Sequence, residues 1–164
     1  MTEMIFNCKR CGTCCRSLLE YVNSVRTGLL LTPKEINLFP FEMVSPKLAV
    51  GIVKPDEIIS YQLNVDTCPH LDEKNECKIY YGRPLICKAF PYISGRMSRK
   101  CPQIGNQMII ETDLWAIDAE IEASKKLDRY ILNRTEKLAQ KRRNQKVWEF
   151  DLAEKKWIFR KSLS

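Results

Sequence analysis

The sequence predicts a small α+β protein in which an irregular, cysteine-rich region with short strands is followed by a long C-terminal helix and a terminal hairpin. All eight cysteines lie between residues 8 and 101, in segments that are rich in Pro and Gly. Two stretches ahead of Cys68 have the composition of strands, and residues 112–145 contain neither Gly nor Pro. At 164 residues the chain is long enough for one domain with a core and too short for two of full size.

The first regular element expected is a short helix over residues 33–39. Thr32 has the character of an N-cap, Glu35 completes a capping box with it, and Pro40 ends the helix. Two strands are expected next, at residues 48–53 and 58–65. In the second, apolar side chains alternate with polar ones, which predicts a half-buried strand.

The cysteine-free end of the chain is expected to be mainly helical. Apolar residues recur at helical spacing through residues 112–145, at Leu114, Ile117, Ile121, Leu127, Ile131 and Leu138. Nine basic and two acidic residues lie between Lys125 and Lys146, a net charge of +7. Two β-prone runs at 147–152 and 156–160 predict the hairpin. We therefore expect a cysteine-cluster domain at 1–110 and a helical basic tail at 111–164, packed on the same domain.

No basic segment followed by an apolar run opens the chain, and no uninterrupted apolar stretch has the length of a membrane span. The sequence thus predicts a cytoplasmic protein without a membrane segment. In a reducing compartment thiols are rarely oxidised to structural disulfides, so metal ligation is the leading explanation for the cysteines. The alternatives are four disulfides or inert buried thiols.

Four of the thiols fall within the eight residues from Cys8 to Cys15. The C-x-x-C spacing points two sulfurs at one metal, and Gly12 permits the positive φ that such a turn often needs. Three thiols at C-x-x-C-x-x-C are also the triplet that holds three corners of a [4Fe–4S] cluster. Because neighbouring side chains diverge, Cys14 and Cys15 are expected to serve different centres, or one of them to be free.

The expected metal ligands are all eight cysteines, which permits one or two centres: Cys8, Cys11, Cys14, Cys15, Cys68, Cys77, Cys87 and Cys101. The loops around them are short of ladder hydrogen bonds and are expected to need metal for their order. The predicted domain is therefore metal-stapled.

Four motifs follow one another between residues 8 and 102: Cys8-x-x-Cys11-x-x-Cys14-Cys15, Cys68-Pro-x-Leu71, Cys77-x-Ile79-Tyr80-x-x-Arg83-Pro84-x-x-Cys87-x-x-Phe90-Pro91, and Cys101-Pro102. Together they resemble the CxxCxxCC (YkgJ-type) family of zinc- or iron-chelating proteins. The resemblance implies metal binding and does not imply a reaction.

Thiolates suit both zinc and iron–sulfur clusters, so the metal stays open. The triplet followed by isolated cysteines is slightly more typical of a cluster, whereas structural zinc usually has paired C-x-x-C turns. Three functions stay open as well. The first is a metal-binding protein, the second an iron–sulfur-dependent redox or modifying enzyme, and the third a nucleic-acid or protein adaptor with structural zinc.

Other residues are given ordinary roles. His70, the only histidine, is expected to be a surface or hydrogen-bonding residue rather than a ligand. Arg83 is expected to donate hydrogen bonds to backbone or sulfur. The basic surface from Lys125 to Lys146 is expected to be a solvated helix face, and nucleic-acid binding there is not favoured, because no aromatic platform is interleaved with the charges.

Overall fold

The computed structural model describes residues 8–104 and 117–162, and these contain two α-helices and nine strands. The helices are α1 (Leu85–Ala89) and α2 (Asp118–Lys141). The strands are β1 (Glu20–Val22), β2 (Val25–Thr27), β3 (Leu30–Leu31), β4 (Val44–Gly51), β5 (Glu57–Leu63), β6 (Tyr92–Ile93), β7 (Arg96–Met97), β8 (Lys146–Asp151) and β9 (Lys156–Ser162). The small mixed fold with a long helix and a terminal hairpin is confirmed.

The chain divides into two compact units, each built from two separate stretches of sequence. The cysteine unit joins Met1–Arg16 with Thr67–Asp128, and the sheet unit joins Ser17–Asp66 with Arg129–Ser164. All eight cysteines belong to the first unit and none to the second. The predicted boundary between residues 110 and 111 lies outside the described residues and stays a prediction.

The sheet unit contains a five-stranded antiparallel sheet in the order β3-β5-β4-β8-β9. The strands expected at 48–53 and 58–65 are β4 and β5, and the expected hairpin is β8 with β9. Its turn needs no glycine, because the Asp151 carboxylate accepts the backbone N–H of Ala153 at 2.8 Å and Lys155 adopts a φ of 51°.

The core of the sheet unit includes an apolar cluster of Val50, Ile59 and Leu138, with Leu48 and Ile131 packed against it. Leu138 and Ile131 come from α2, so the 3.6-residue spacing noted in the sequence brings these two side chains to the sheet. None of the helices in the described ranges combines the length and the apolar character that crossing a membrane needs.

The long helix is shorter than expected at its C-terminal end. It was predicted to reach Gln145 but ends at Lys141, and Asn144 adopts a left-handed φ of 60° that a helix cannot continue through. Arg142 and Arg143 are exposed, as expected. The predicted start at residues 112–116, together with Leu114, lies outside the described residues.

The alternation in β5 gave a wrong expectation for one polar residue. Gln62 is fully buried rather than solvent-facing. Its carbonyl oxygen accepts hydrogen bonds from Thr27 Oγ1 at 3.0 Å and from the Gly28 N–H at 2.8 Å, and its amide donates to backbone carbonyls of Pro46 and Phe150. Burial of the amide is tolerated because both of its ends have partners.

The helix expected over residues 33–39 is a single 3₁₀ turn at Ile36–Leu38. The capping contact itself is present, because Glu35 accepts the backbone N–H of Thr32 at 2.8 Å. Residues 33–35 form a turn rather than helix, and Phe39 before Pro40 is extended, so a correct start signal is followed by a shorter element than predicted.

The cysteine unit has little regular structure. Its described elements are the five-residue α1, the first part of α2, single 3₁₀ turns and the two-residue strands β6 and β7. Ser94 and Gly95 both have positive φ in the turn that joins these strands, and the Ser94 N–H donates to Ser124 Oγ of α2 at 3.2 Å. Loops therefore carry most of the cysteines.

Candidate metal centre

Turns and short elements position the eight thiols, and all of them are free cysteines in the structure. Cys14 and Cys15 lie on the 3₁₀ turn Thr13–Cys15, and Cys87 lies on α1. The N–H of Cys68 donates to the carbonyl of Cys15 at 2.8 Å, and Cys77 forms a bridge with Leu71. The structure thus brings cysteines of the N-terminal motif together with later ones.

The turn after Cys11 depends on a glycine. Gly12 has a φ of +74°, the positive value expected from the sequence. A Cβ at this position would lie 2.7 Å from the carbonyl oxygen of Asn75 and 2.8 Å from Leu71 Cδ1. The close approach of two loops therefore leaves no space for a side chain at residue 12.

Five of the sulfurs share one hydrogen-bond pattern: each accepts the backbone N–H of the residue two positions later. Arg10 donates to Cys8 at 3.4 Å in this way. The corresponding donors for Cys11, Cys68, Cys77 and Cys101 are the N–H groups of Thr13, His70, Ile79 and Gln103, and each lowers the pKa of its cysteine. Such N–H groups stabilise negative charge on sulfur, so these turns favour thiolates.

Cys14, Cys15 and Cys68 form a hydrogen-bonded chain of sulfurs. The bond from Cys15 is the main cause that lowers the pKa of Cys14 to about 7 and the pKa of Cys68 to about 6. Donating to both neighbours raises the pKa of Cys15, which therefore keeps its proton. The expectation that neighbouring side chains diverge is not met here, because Cys14 and Cys15 contact each other.

Two further thiols interact with this chain. Burial raises the pKa of Cys87, and charges on Cys14, Cys68 and Cys77 raise it further, whereas Arg83 lowers it. Burial likewise raises the pKa of Cys77, with smaller contributions from Cys68 and Cys14. We call these residues the five-thiol group: Cys14, Cys15, Cys68, Cys77 and Cys87.

The remaining thiols form a second set, the three-thiol group of Cys8, Cys11 and Cys101. Burial raises the pKa of Cys101, and charges on Cys11 and Cys8 raise it further. The Lys9 N–H donates to Gln103 Oε1 at 3.4 Å, which joins the two loops that carry these cysteines. The Thr13 hydroxyl lowers the pKa of Cys11, whereas the charge on Cys14 acts in the opposite direction, so the C-x-x-C-x-x-C triplet links the two groups.

Among the residues that the structure describes, no three His, Cys, Asp or Glu side chains are arranged to hold a metal ion as they stand. The thiols are near neighbours without forming a coordination shell.

Residues between the cysteines hold the loops together, and sequence reasoning missed one of them. Arg16 donates to Asn75 Oδ1 at 2.5 Å and to the Gly12 carbonyl at 3.4 Å. This contact joins the N-terminal motif to the loop before Cys77. No local pattern marks Arg16, since its partner lies 59 positions away in the sequence.

The structure gives local contacts for His70 and for the basic helix, and the roles expected for them stay predictions. The His70 carbonyl accepts the Lys78 N–H at 2.8 Å, and its side chain electrostatically favours the Cys68 thiolate and so helps to lower that pKa. On the helix, Lys125 pairs with Glu122 and Arg134 pairs with Glu57, and beyond its end Arg142 pairs with Asp56. That nucleic-acid binding is not favoured at this surface also stays a prediction.

Comparison with protein families gives one match. A family model described as "CxxCxxCC: Putative zinc- or iron-chelating domain" matches residues 7–113, which is more than half of the 164-residue chain and spans every cysteine. Comparison with curated proteins finds no match, and comparison with solved structures finds none either.

Proposed function

Because the chain belongs to the CxxCxxCC family, we propose that it chelates zinc or iron through the thiolates of its eight cysteines. The observation that carries the proposal is the shared turn in which five sulfurs accept a backbone N–H from two residues later. Hydrogen bonds of this kind stabilise metal-bound thiolates and hold them in orientation. Packing alone gives no reason for so many turns of this type in one small unit.

The chemistry of the donor set fits such a metal. Every candidate ligand is a thiol, which is the ligand type shared by structural zinc sites and iron–sulfur clusters. A bound zinc would cross-link the loops, and a bound cluster would in addition carry electrons. Since the loops that carry the thiols have little regular structure, metal uptake would be coupled to ordering of the loops.

The two thiol groups support two centres rather than one. A closed tetrahedral site takes four sulfurs. The five-thiol group contains one sulfur more than that number, and the three-thiol group contains one fewer. The triplet argument for a [4Fe–4S] cluster keeps its basis, because Cys11 interacts with Cys14 as well as with Cys101. Zinc and iron–sulfur therefore both stay open.

One observation favours the enzyme alternative for part of the site. A centre held by Cys8, Cys11 and Cys101 would have three protein ligands, and metals that act on substrates usually keep a fourth position open. Cys11 is exposed, so that position would be accessible from solvent. A redox or modifying activity would then belong to the three-thiol group.

Anaerobic purification tests the proposed function. We expect zinc, or iron together with acid-labile sulfide, at one or two centres per chain, and a thiolate-to-iron absorption band if a cluster is present. The matched control is the chain after alkylation of all cysteines, which should retain no metal. A freshly purified, fully reduced chain that binds neither zinc nor iron would refute the proposal.

A further inference from the structure

Arg83 has a buried donor for which the structure provides no acceptor. Its Nε–H is inaccessible to solvent, and among the described residues no atom accepts a hydrogen bond from it. A buried donor of a charged group that lacks an acceptor is costly, and native proteins rarely leave one unused. The Nε–H therefore requires an explanation.

Aromatic contacts hold the guanidinium in place. The Cζ atom of Arg83 lies 4.0 Å from the ring centroid of Tyr80, and the Cζ atom of Arg10 lies 4.1 Å from the same centroid. Tyr81 packs edge-on against Tyr80, with centroids 5.4 Å apart, and its hydroxyl accepts a hydrogen bond from Arg10. Stacking at this distance fixes a planar cation. The orientation of Arg83 is thus set by its neighbours and not by a hydrogen bond at Nε.

The charge of Arg83 acts on the five-thiol group. It favours the thiolates of Cys14, Cys77 and Cys87, and it also acts on the carboxylate of Glu120 in α2. Four thiolates around a divalent cation carry two excess negative charges, and a cation beside them offsets part of that excess. The position of Arg83 is therefore suited to a thiolate-bound metal.

We propose that Arg83 is a positioning residue for the metal centre of the five-thiol group, with its buried Nε–H donating to a metal-bound thiolate while its charge offsets the excess negative charge. The inference rests on the proposed function and names a partner for the buried guanidinium donor that lacks one among the described residues. It also assigns different roles to the two arginines on Tyr80. The Arg10 guanidinium is exposed and donates to the Tyr81 hydroxyl, so its side chain is not expected to contact a thiolate, whereas its backbone N–H donates to Cys8.

The test uses the metal-free full chain and added Zn²⁺, with Arg83→Gln and Arg83→Lys as variants. Arg96→Gln is the matched control, because it removes an exposed guanidinium from β7 of the same unit and leaves the buried donor intact. The first readout is Zn²⁺ affinity, measured by competition with a chromophoric chelator. The second is the rate at which iodoacetamide alkylates each cysteine of the zinc-loaded chain, resolved by mass spectrometry. Hydrogen bonding reduces the nucleophilicity of a thiolate, so the second readout reports on individual sulfurs.

We expect Arg83→Gln to weaken Zn²⁺ binding by about 10- to 100-fold, the usual effect of losing a hydrogen bond to a metal ligand. Alkylation should become faster at Cys14, Cys77 or Cys87 and stay unchanged at Cys8 and Cys101. Arg83→Lys retains the charge without the planar donor, and its affinity should fall between that of Arg83→Gln and that of the unchanged chain. Arg96→Gln should resemble the unchanged chain.

Two outcomes would overturn the inference while leaving the proposed function intact. One is an Arg83→Gln variant with unchanged affinity and unchanged alkylation. The other is an equal acceleration at all eight cysteines, which would indicate general loosening of the loops. If the unchanged chain takes up no Zn²⁺, then zinc chelation and this inference fail together.

Discussion

The sheet unit and the cysteine unit are stabilised by different physics. In the sheet unit, antiparallel strands pair along a five-stranded sheet, and fully buried side chains such as Ile59 and Leu63 fill its interior. In the cysteine unit, regular strands are two residues long, and sulfurs accept many of the turn hydrogen bonds. Hydrophobic burial accounts for the first unit, whereas we expect the second to depend on the metal that its thiols are proposed to bind. The two units should therefore respond differently to the same perturbation.

Metal removal should produce the largest difference between the units. Structural zinc contributes about 10–16 kcal/mol of apparent binding energy in small thiolate domains, and that energy is coupled to folding. We expect a strong chelator under reducing conditions to abolish amide protection in residues 67–104 and to leave β4 and β5 protected. Hydrogen exchange read by mass spectrometry measures both in one sample. Equal loss of protection in the two units would contradict the comparison.

A core substitution in the sheet unit should give the converse result. Ile59 is fully buried, so Ile59→Ala should cost about 2–5 kcal/mol of unfolding free energy by removing packed methyl groups and leaving a cavity. Metal per chain should not change, because no cysteine lies in this unit. Leu132→Ala is the control, since Leu132 is 57% exposed and its loss should matter little. Denaturant melts combined with metal analysis test both statements.

The sequence predicts the sheet unit more completely than it predicts the cysteine unit. Strands β4 and β5, the hairpin and the long helix are marked by local hydrophobic patterns, and they are found close to the expected positions. The burial of Gln62 is not visible in that pattern, because its four partners come from distant parts of the sequence. Local propensity cannot report a network of this kind.

The same limit applies to the candidate site. The sequence identifies the thiols, and it predicts the positive φ of Gly12, because both features are local. It does not predict that Cys8 and Cys11 associate with Cys101, or that Cys14 contacts Cys15. Those groupings depend on how loops meet in space, and the spacing of residues along the chain does not specify where they meet.

A smaller effect is expected from Gly12→Ala, which should disturb the cysteine unit only. The left-handed backbone conformation costs a residue with a side chain about 1–2 kcal/mol, and contact of the added methyl group with the Asn75 carbonyl increases that cost. We expect weaker zinc binding and an unchanged denaturant midpoint for the sheet unit. In the matched control Gly82→Ala, no described atom beyond the chain neighbours lies within 4 Å of the added methyl group. Equal zinc affinity in the two variants would show that the turn at Gly12 does not position ligands.

The pH dependence of metal uptake should come from the cysteine unit alone, because the sheet unit contains no thiol. Raised pKa values keep Cys15 and Cys87 protonated near neutral pH, so a metal must displace those protons and its affinity should rise with pH. Cys14, with a pKa of about 7, and Cys68, with a pKa of about 6, also take up protons as the pH falls through those values. Calorimetric titration with Zn²⁺ in buffers of different ionisation enthalpy should show more protons released per metal at acidic pH than at alkaline pH. A constant proton release would argue against ligation by the five-thiol group.

X-ray absorption at the edge of the bound metal tests the central claim most directly, because it reports the atoms that surround the metal. If the cysteine unit holds metal through its thiolates, the nearest shell should consist of sulfur alone in the closed centre, at about 2.3 Å for zinc. An open centre of the three-thiol group would add one lighter ligand to three sulfurs. A shell dominated by nitrogen or oxygen, in a chain whose eight cysteines remain reduced, would contradict the account.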